Sequence, residues 1–357
     1  MMVQQMIPPG SVLGILGGGQ LGRMTALAAA NLGYRTHIFA PEKDSPASDV
    51  AWRFTCADYN DQPALEAFAA NVDSITVEFE NVPEAALTLL AELKPARPNA
   101  RALATAQDRL VEKKYLESVG FKAAPFQAVD GPEDILKALD VFGSPIILKT
   151  RRFGYDGKGQ VKITSSSDVK AAWAELGQSP SIAEGFVNFT REISVISARD
   201  VMGKIKSYPA VENRHENHIL RQTIAPAAEL GKLAEEAEYL ASQAIEGLDM
   251  IGLLAIEMFV TEDHQLIVNE MAPRPHNSGH WTMDFAATCQ FEQLVRCAMG
   301  LPLGSTQILR PAEMTNILGD EVTEWPKLLA DPNVHLHLYG KTEARTGRKM
   351  GHWNKAQ

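Results

Sequence analysis

Residues 253–270 read LLAIEMFVTEDHQLIVNE. Two apolar runs, 253–260 and 266–270, flank the polar segment 261–265, and such runs joined by a short turn predict a buried antiparallel hairpin. Centred on Asp263, the hairpin sets Glu257 nearly opposite Glu270. Ala255, Glu257 and Phe259 then share one face of their strand, and Leu266, Val268 and Glu270 share one face of theirs. Two carboxylates directly opposed across a strand pair repel, and within apolar sequence they need a cation. Glu257 and Glu270 are therefore candidate metal ligands. Hard oxygen donors with the amide Asn269 beside them suit Mg²⁺, with Mn²⁺ as the alternative, held jointly by protein and phosphate groups. A solvated strand face, or a register one residue out, remains the competing interpretation.

Directly after this hairpin comes Pro273-Arg274-Pro275-His276-Asn277-Ser278-Gly279-His280, a polar loop stiffened by proline and glycine. Its position beside the acidic pair marks it for substrate contact; by composition alone it is an ordinary turn. Upstream, Lys149 ends an apolar strand at 145–150, and Gly154-Tyr155-Asp156-Gly157-Lys158-Gly159-Gln160 leads into a returning strand at 160–164. Three glycines in six residues make a hairpin loop able to lie over phosphates. It is not a Walker A loop, because Gly159 stands where Ser or Thr would bind the metal.

The first hundred residues alternate strands (12–16, 36–40, 74–80) with helices (21–32, 64–70), which predicts βαβ units and an open parallel sheet. Gly17-Gly18-Gly19-Gln20-Leu21-Gly22 bridges the first strand and helix and contains G-x-G-x-x-G, with Glu42 twenty residues past Gly22. That is the literal dinucleotide fingerprint. However, Ala40-Pro41 ends the second strand where a ribose-binding acid belongs, so the preferred reading is a tight turn that brings backbone N–H groups to an anion. The prolines of 94–99 suggest a linker. A helix at 108–119, with Asp108 as N-cap, opens a second unit. A third begins near Glu184, with a strand at 192–197 and a helix at 228–248 that presents Leu233, Ala237, Leu240, Ala241 and Ala244 on one face. The expected units are 1–107, 108–187, 188–300 and a small module at 301–357.

The 357 residues carry a formal net charge of −10, which argues against a general nucleic-acid or anionic-membrane binder. Residues 341–357 nevertheless hold five basic side chains against Glu343, so the tail is +4 and the first 340 residues −14. A basic cluster on an acidic chain suggests a site for a small anion. Three cysteines without a C-x-x-C pair predict neither a disulfide framework nor a zinc site. The start MMVQQMIPPG lacks the basic and apolar regions of a signal peptide, so a cytoplasmic location is expected.

Taken together, GGGQLGRM, TVEFENVP, ILKTRRFGYDGKGQ, YPAVENRHENHI and VNEMAPRPHNSGHWT, in that order from residue 17 to residue 282, resemble the ATP-grasp enzymes. Within that superfamily the chain is similar to the N5-carboxyaminoimidazole ribonucleotide synthases, the ATPase subunit of the bacterial and fungal purine carboxylation step. The resemblance implies an ATP-grasp fold, α/β and α+β, with an N-terminal open parallel pre-ATP-grasp domain and a small C-terminal module. It implies ATP between two lobes, with Arg109 and Lys149 on the phosphates under the loop from Gly154 to Gln160. Glu184, Gly185, Phe186 and Val187 would present backbone groups to adenine, Glu192 would hold the ribose, His215 would lie near the phosphates, and Glu257 and Glu270 would ligate Mg²⁺, with Asn269 adjacent at the nucleotide. Substrate positions implied are Gln20, Leu21, Glu78, Asp156, Arg274, His276, Asn277 and Ser278, with Lys341 and Arg348 clamping a 5′-phosphate. Strand alternation over 74–80 puts Glu78 and Glu80 on one face, leaving open which of them is the contact.

The same resemblance implies the reaction. Bicarbonate would attack the γ-phosphoryl group to give carboxyphosphate and ADP, carboxyphosphate would release CO₂ in a closed site, and the amine of aminoimidazole ribonucleotide would capture it. Tyr155, Asp156, Lys158, Arg274 and His276 are the candidates for orienting these species. A homodimer is implied by the family. Competing readings are a formate-using glycinamide ribonucleotide transformylase of the same superfamily, a nicotinamide oxidoreductase built on the first glycine turn, and a catalytically silent partner protein.

Overall fold

The computed structural model describes residues 6–154 and 157–357. Three sheets carry the chain. The first is parallel, in the order Arg53–Cys56, Arg35–Ala40, Val12–Leu16, Ser74–Val77, as the strand–helix alternation predicts. Its central strands are buried on both faces because helices cover both, which is the requirement for a parallel sheet. The strand Arg53–Cys56 goes unseen in the sequence: at the sheet edge it is half-exposed and carries no apolar run. The strand read over 74–80 ends at Val77, so Glu78 and Glu80 do not share a strand face, a correction to the alternation argument.

The second sheet is antiparallel, in the order Phe126–Val129, Ser181–Gly185, Ile146–Thr150, Gln160–Ile163. The helices Pro132–Phe142 and Val169–Glu175 cover one face, where Ile135, Ala138, Trp173, Leu148 and Ile163 make the core. Its other face, with Ile147, Lys149, Gln160 and Glu184, lines a cavity.

The third sheet has nine strands and begins at the edge strand Leu266–Ala272, followed by Gly252–Val260 and Arg191–Arg199. The helix Lys232–Gly247 lays Ala237, Ala241, Ala244 and Ile245 on one face of it, beside Leu116 from the helix Arg109–Ser118. The helix Gln290–Ala298 covers the opposite face, with Leu294 and Cys297 packed there. Residues 312–356 prolong this sheet, Ala312–Leu318 pairing with Ile219–Ala225 and then with Lys349–Ala356. The end of the basic tail, Lys349–Ala356, is thereby a paired strand, while Lys341, Arg345 and Arg348 precede it in a loop. Among the described residues no helix is long and apolar enough to cross a membrane.

Asp108 caps the Arg109–Ser118 helix as expected, its Oδ1 accepting from Leu110 N at 3.0 Å and Val111 N at 3.4 Å. The same carboxylate accepts from Arg151 Nε at 3.0 Å, which fixes the helix start against the strand that bears Lys149. Polar side chains near the N-terminus of the helix are therefore aimed between the second and third sheets.

Candidate active site

A cavity of about 830 Å³ opens between the second and third sheets and reaches the first. Its most informative wall is the predicted hairpin. Near the turn, Val260 pairs with Leu266 and Met258 with Val268, a register that would set Glu257 against Asn269. A β-bulge between Glu257 and Met258 shifts the ladder by one residue and brings Glu257 opposite Glu270. Leu266 and Val268 therefore face the hydrophobic core, while Asn269 and Glu270 both reach the cavity. The shared face expected for Leu266, Val268 and Glu270 is thus corrected, and the opposed carboxylates are retained through an irregularity that alternation cannot foresee.

Nitrogen-bearing side chains hold the two acids. Glu270 Oε2 accepts from Arg109 Nη1 at 2.9 Å, and Glu257 Oε1 lies 2.8 Å from His276 Nε2. Burial pushes the Glu257 carboxyl up, but His276, His215 and Lys349 outweigh it and hold it at about 2. His215 is in turn raised: burial opposes the charge, and Glu192, 3.2 Å away, together with Glu257 favours it. Asn269 Oδ1 is buried beside Glu270 with no hydrogen-bond partner. Two carboxylates and an orphaned amide oxygen on one wall are the donor set of a hard divalent cation. Among the described residues no group of three or more His, Cys, Asp or Glu is set to hold a metal alone, so the set suits an ion that completes its shell with phosphate oxygens.

Across the cavity, Lys149 Nζ donates to Glu184 Oε2 at 2.9 Å, and buried Lys113 lies 3.6 Å from the same oxygen. Burial pushes Glu184 up, and the two lysines and Arg109 bring it down to about 2. Glu184 and Gly185 end their strand, and Phe186 and Val187 follow on the cavity wall. Phe189 stacks on Phe259 with ring centroids 4.5 Å apart, an apolar surface suited to a flat ring.

In the glycine loop, Gly154, Gly157, Lys158 and Gln160 line the cavity and Gly159 does not. Arg109 Nη2 donates to Gly154 O at 3.3 Å, linking the loop to Glu270. Gly157 has φ +77°, and a Cβ there would lie 2.6 Å from His218. Tyr155 and Asp156 lie outside the described residues.

The first glycine turn holds an anion, but one supplied by the chain. Glu78 Oε2 accepts from Gly22 N at 3.0 Å, and a Cβ on Gly17, Gly19 or Gly22 would come within 2.7, 2.1 or 2.5 Å of the Glu78 side chain. The glycines are there because a carboxylate packs on the turn, which corrects the expectation of a cradle open to a ligand anion. Burial pushes the Glu78 carboxyl to about 7, against the pull of the Gly22 and Gly19 N–H groups, Arg274 and Lys341. A carboxyl raised on folding stabilises fully below its unfolded value near 4.5 and loses that contribution as pH rises through 7. Between pH 4.5 and 8 the loss is expected to be roughly 2–3 kcal/mol. Glu78→Gln should flatten this part of the stability profile, read from urea midpoints at pH 5 and pH 8; equal slopes in the two proteins would refute it.

Gln20, Leu21, Glu78, Glu80, Arg274, His276 and Asn277 all line the cavity. Arg274 is ion-paired with Glu80; burial pushes the Glu80 carboxyl up, and the Arg274 guanidinium outweighs it and leaves the carboxyl below its ordinary range. Both amide atoms of Asn277 are buried without partners, open to a ligand. Ser278 is fully buried and off the wall, contrary to its expected substrate contact. Its hydroxyl lies 2.8 Å from His276 Nδ1 and 2.7 Å from Ser194 Oγ, so it orients the imidazole whose other nitrogen meets Glu257. Lys341 and Arg348 are also off the wall: Lys341 Nζ donates to Lys349 O at 2.6 Å, and Arg348 Nη1 to Glu343 O at 2.7 Å. The wall residue of this segment is Lys349, which sequence reading counted only as tail charge. Glu112 and Phe189 were likewise missed, because nothing in their spacing distinguishes a cavity wall from a core or a helix surface, whereas Phe259 lies on the wall with Ala255 and Glu257 as alternation places it.

Comparison with known proteins follows this geometry. Residues 11–107 match the ribonucleotide synthetase preATP-grasp domain, 114–291 the ATP-grasp domain, and 312–356 the phosphoribosylaminoimidazole carboxylase C-terminal domain. The chain is 47% identical to an N5-carboxyaminoimidazole ribonucleotide synthase of Brucella melitensis, covering 97% of this chain and 96% of that one. It is 45% identical to the bifunctional purine synthesis protein purC/E of Dictyostelium discoideum over 97% of its own length, but spans only 37% of that protein. Among solved structures it is similar to the Staphylococcus aureus N5-carboxyaminoimidazole synthetase complexed with ADP (TM-score 0.95, 38% identity, 100% and 96% of the two chains). It is also similar to the Aspergillus clavatus N5-carboxyaminoimidazole synthase with ADP and 5-aminoimidazole ribonucleotide (TM-score 0.90, 30% identity, 97% and 94%).

Proposed function

The chain belongs to the N5-carboxyaminoimidazole ribonucleotide synthases, and from that premise we propose that its cavity couples ATP cleavage to carboxylation of 5-aminoimidazole ribonucleotide by bicarbonate. It is an ATP-dependent carbon–nitrogen ligase of purine biosynthesis. The observation that carries the reading is the bulged hairpin: it turns Glu257, Asn269 and Glu270 onto one wall, with Arg109 and Lys149 on the same cavity.

The residues divide the work by position. Lys149 and Arg109 neutralise the triphosphate, Arg109 also tying the glycine loop to Glu270. Phe186, Val187 and the stacked Phe189 and Phe259 take the adenine, and Glu192, beside His215, takes the ribose. Glu257, Glu270 and Asn269 would hold Mg²⁺, which spreads charge from the transferring phosphoryl group. Bicarbonate oxygen attacks the γ-phosphorus, the bond to ADP breaks, and the glycine loop shields the resulting carboxyphosphate from water. Arg274 and Asn277, on the cavity wall, orient the ribonucleotide, and the family resemblance assigns Tyr155, Asp156 and Lys158 to orienting the reacting species. His276, held by Ser278, orients the anion beside Glu257. CO₂ released from carboxyphosphate is captured by the exocyclic amine, and the lost proton leaves with phosphate.

The test is ADP release with bicarbonate, with and without aminoimidazole ribonucleotide. Release that needs both supports the reading. Release that needs formate and glycinamide ribonucleotide would replace it with the transformylase. Lys341 and Arg348 we assign to the substrate's 5′-phosphate, supported by the short path from Lys341 to the wall residue Lys349. Arg348→Ala should raise the KM for the ribonucleotide about tenfold and leave that for ATP within about twofold; equal changes would refute the clamp. We further propose a cytoplasmic homodimer with units 1–107, 108–187, 188–300 and 301–357. Sedimentation at working concentration tests the dimer.

A further inference from the structure

We propose that Glu112 and Lys113 are positioning residues that set the register of the strand Leu266–Ala272, and with it the aim of Glu270. The proposal rests on the reading of Glu257 and Glu270 as metal ligands.

The strand is the edge of its sheet, so its backbone groups on the side away from Gly252–Val260 lack a full partner strand. The helix Arg109–Ser118 supplies partners on either side of the bulge. Lys113 Nζ donates to Val268 O at 3.2 Å, and Met271 N donates to Glu112 Oε1 at 2.6 Å. Between these two anchors lie Asn269 and Glu270, the residues turned into the cavity. One turn earlier on the same helix, Arg109 takes Glu270 itself.

A bulged ladder has a regular competitor. Slipping the strand by one residue would set Asn269 against Glu257 and turn Glu270 to the other face. The ladder from Met258 to Val260 is already in that competing register, so pairing with Gly252–Val260 does not by itself choose the bulge. The slip would pull Met271 N away from Glu112 and leave a carboxylate only 2% exposed without its partner. Lys113, 1% exposed, is fixed from its other side by Glu184, which also binds Lys149. The anchor is therefore built on polar groups that cannot retreat to water, and it joins the metal wall to the phosphate-binding strand.

The full-length protein tests this with two variants of opposite character. Glu112→Asp keeps the carboxyl but shortens the reach to Met271; Glu112→Gln replaces the carboxyl but keeps the reach and an oxygen that accepts. In metal-free protein, Glu112→Asp should speed amide hydrogen exchange at Met271 about tenfold. It should also raise about tenfold the Mg²⁺ concentration needed for half-maximal ATP binding by calorimetry, as loss of an outer-shell support does. Glu112→Gln should stay within about threefold of wild type in both. Unchanged exchange and Mg²⁺ dependence in Glu112→Asp overturns the proposal, and so does Glu112→Gln matching Glu112→Asp, which would make the carboxyl itself, and not its reach, the active property. Should Glu112→Asp fail to fold, the wild type decides: Met271 exchanging as fast as the turn 261–265 overturns the proposal, and exchange at least about tenfold slower supports it. Glu270→Gln is the control for the premise. If it leaves the Mg²⁺ dependence of ATP binding unchanged, the metal reading fails; if it abolishes that dependence while Glu112→Asp does nothing, only the positioning role fails.

Discussion

Glu270→Gln is expected to lower ATP-dependent ADP release by roughly a thousandfold or more while the chain stays folded. The size follows from the place of the charge: a carboxylate that holds a cation against a transferring phosphoryl group acts where transition-state charge is greatest. Folding is spared because two effects oppose each other. The substitution removes the 2.9 Å ion pair with Arg109. It also relieves buried Glu112, whose carboxyl is pushed up to about 8 by burial and by Glu270. The net change in folding stability should stay near ~1 kcal/mol. ADP release and circular dichroism on the same preparation check both halves, and turnover within tenfold of wild type would remove Glu270 from the site.

On stability the largest effect is expected at Glu184. Its side chain serves two lysines at once, Lys149 at 2.9 Å and Lys113 at 3.6 Å, and all three are buried. Glu184→Gln removes the counter-charge that both ammonium groups share, which should cost about 3–5 kcal/mol in urea unfolding at pH 7. The pH dependence carries a second signature. A carboxyl held at about 2 when folded, against an ordinary value near 4.5, contributes stability that is complete above pH 4.5 and is lost as pH falls through 2. The wild type should therefore lose stability over that acid range, and the variant should lose less. A cost below about 1 kcal/mol at pH 7 would show that the two lysines find other partners or lose their protons cheaply.

Both predictions concern groups whose types were legible in sequence and whose partners were not. Glu257 and Glu270 were identifiable because paired acids in apolar runs are costly without a cation, a rule needing only spacing. The bulge that makes them meet was not, since it depends on the helix Arg109–Ser118 gripping the edge strand from about 155 residues away in the chain. Glu78 shows the same division. Its sequence neighbourhood reads as a strand end, and the glycine turn reads as an anion site; only the fold puts one into the other. Ser278 failed in the opposite sense, because a polar residue in a polar loop was expected to meet substrate and is instead buried behind His276.

By itself the sequence determined the alternating parallel domain, the glycine hairpin, the acidic hairpin and the order in which they occur, because strands, helices and tight turns depend on residues close together along the chain. The tertiary structure alone decided which carboxylate faces a cation and which faces a backbone N–H, which lysine of the tail reaches the cavity, and where the hairpin breaks register. Those outcomes depend on burial and on partners brought from distant segments, and local spacing carries no record of either.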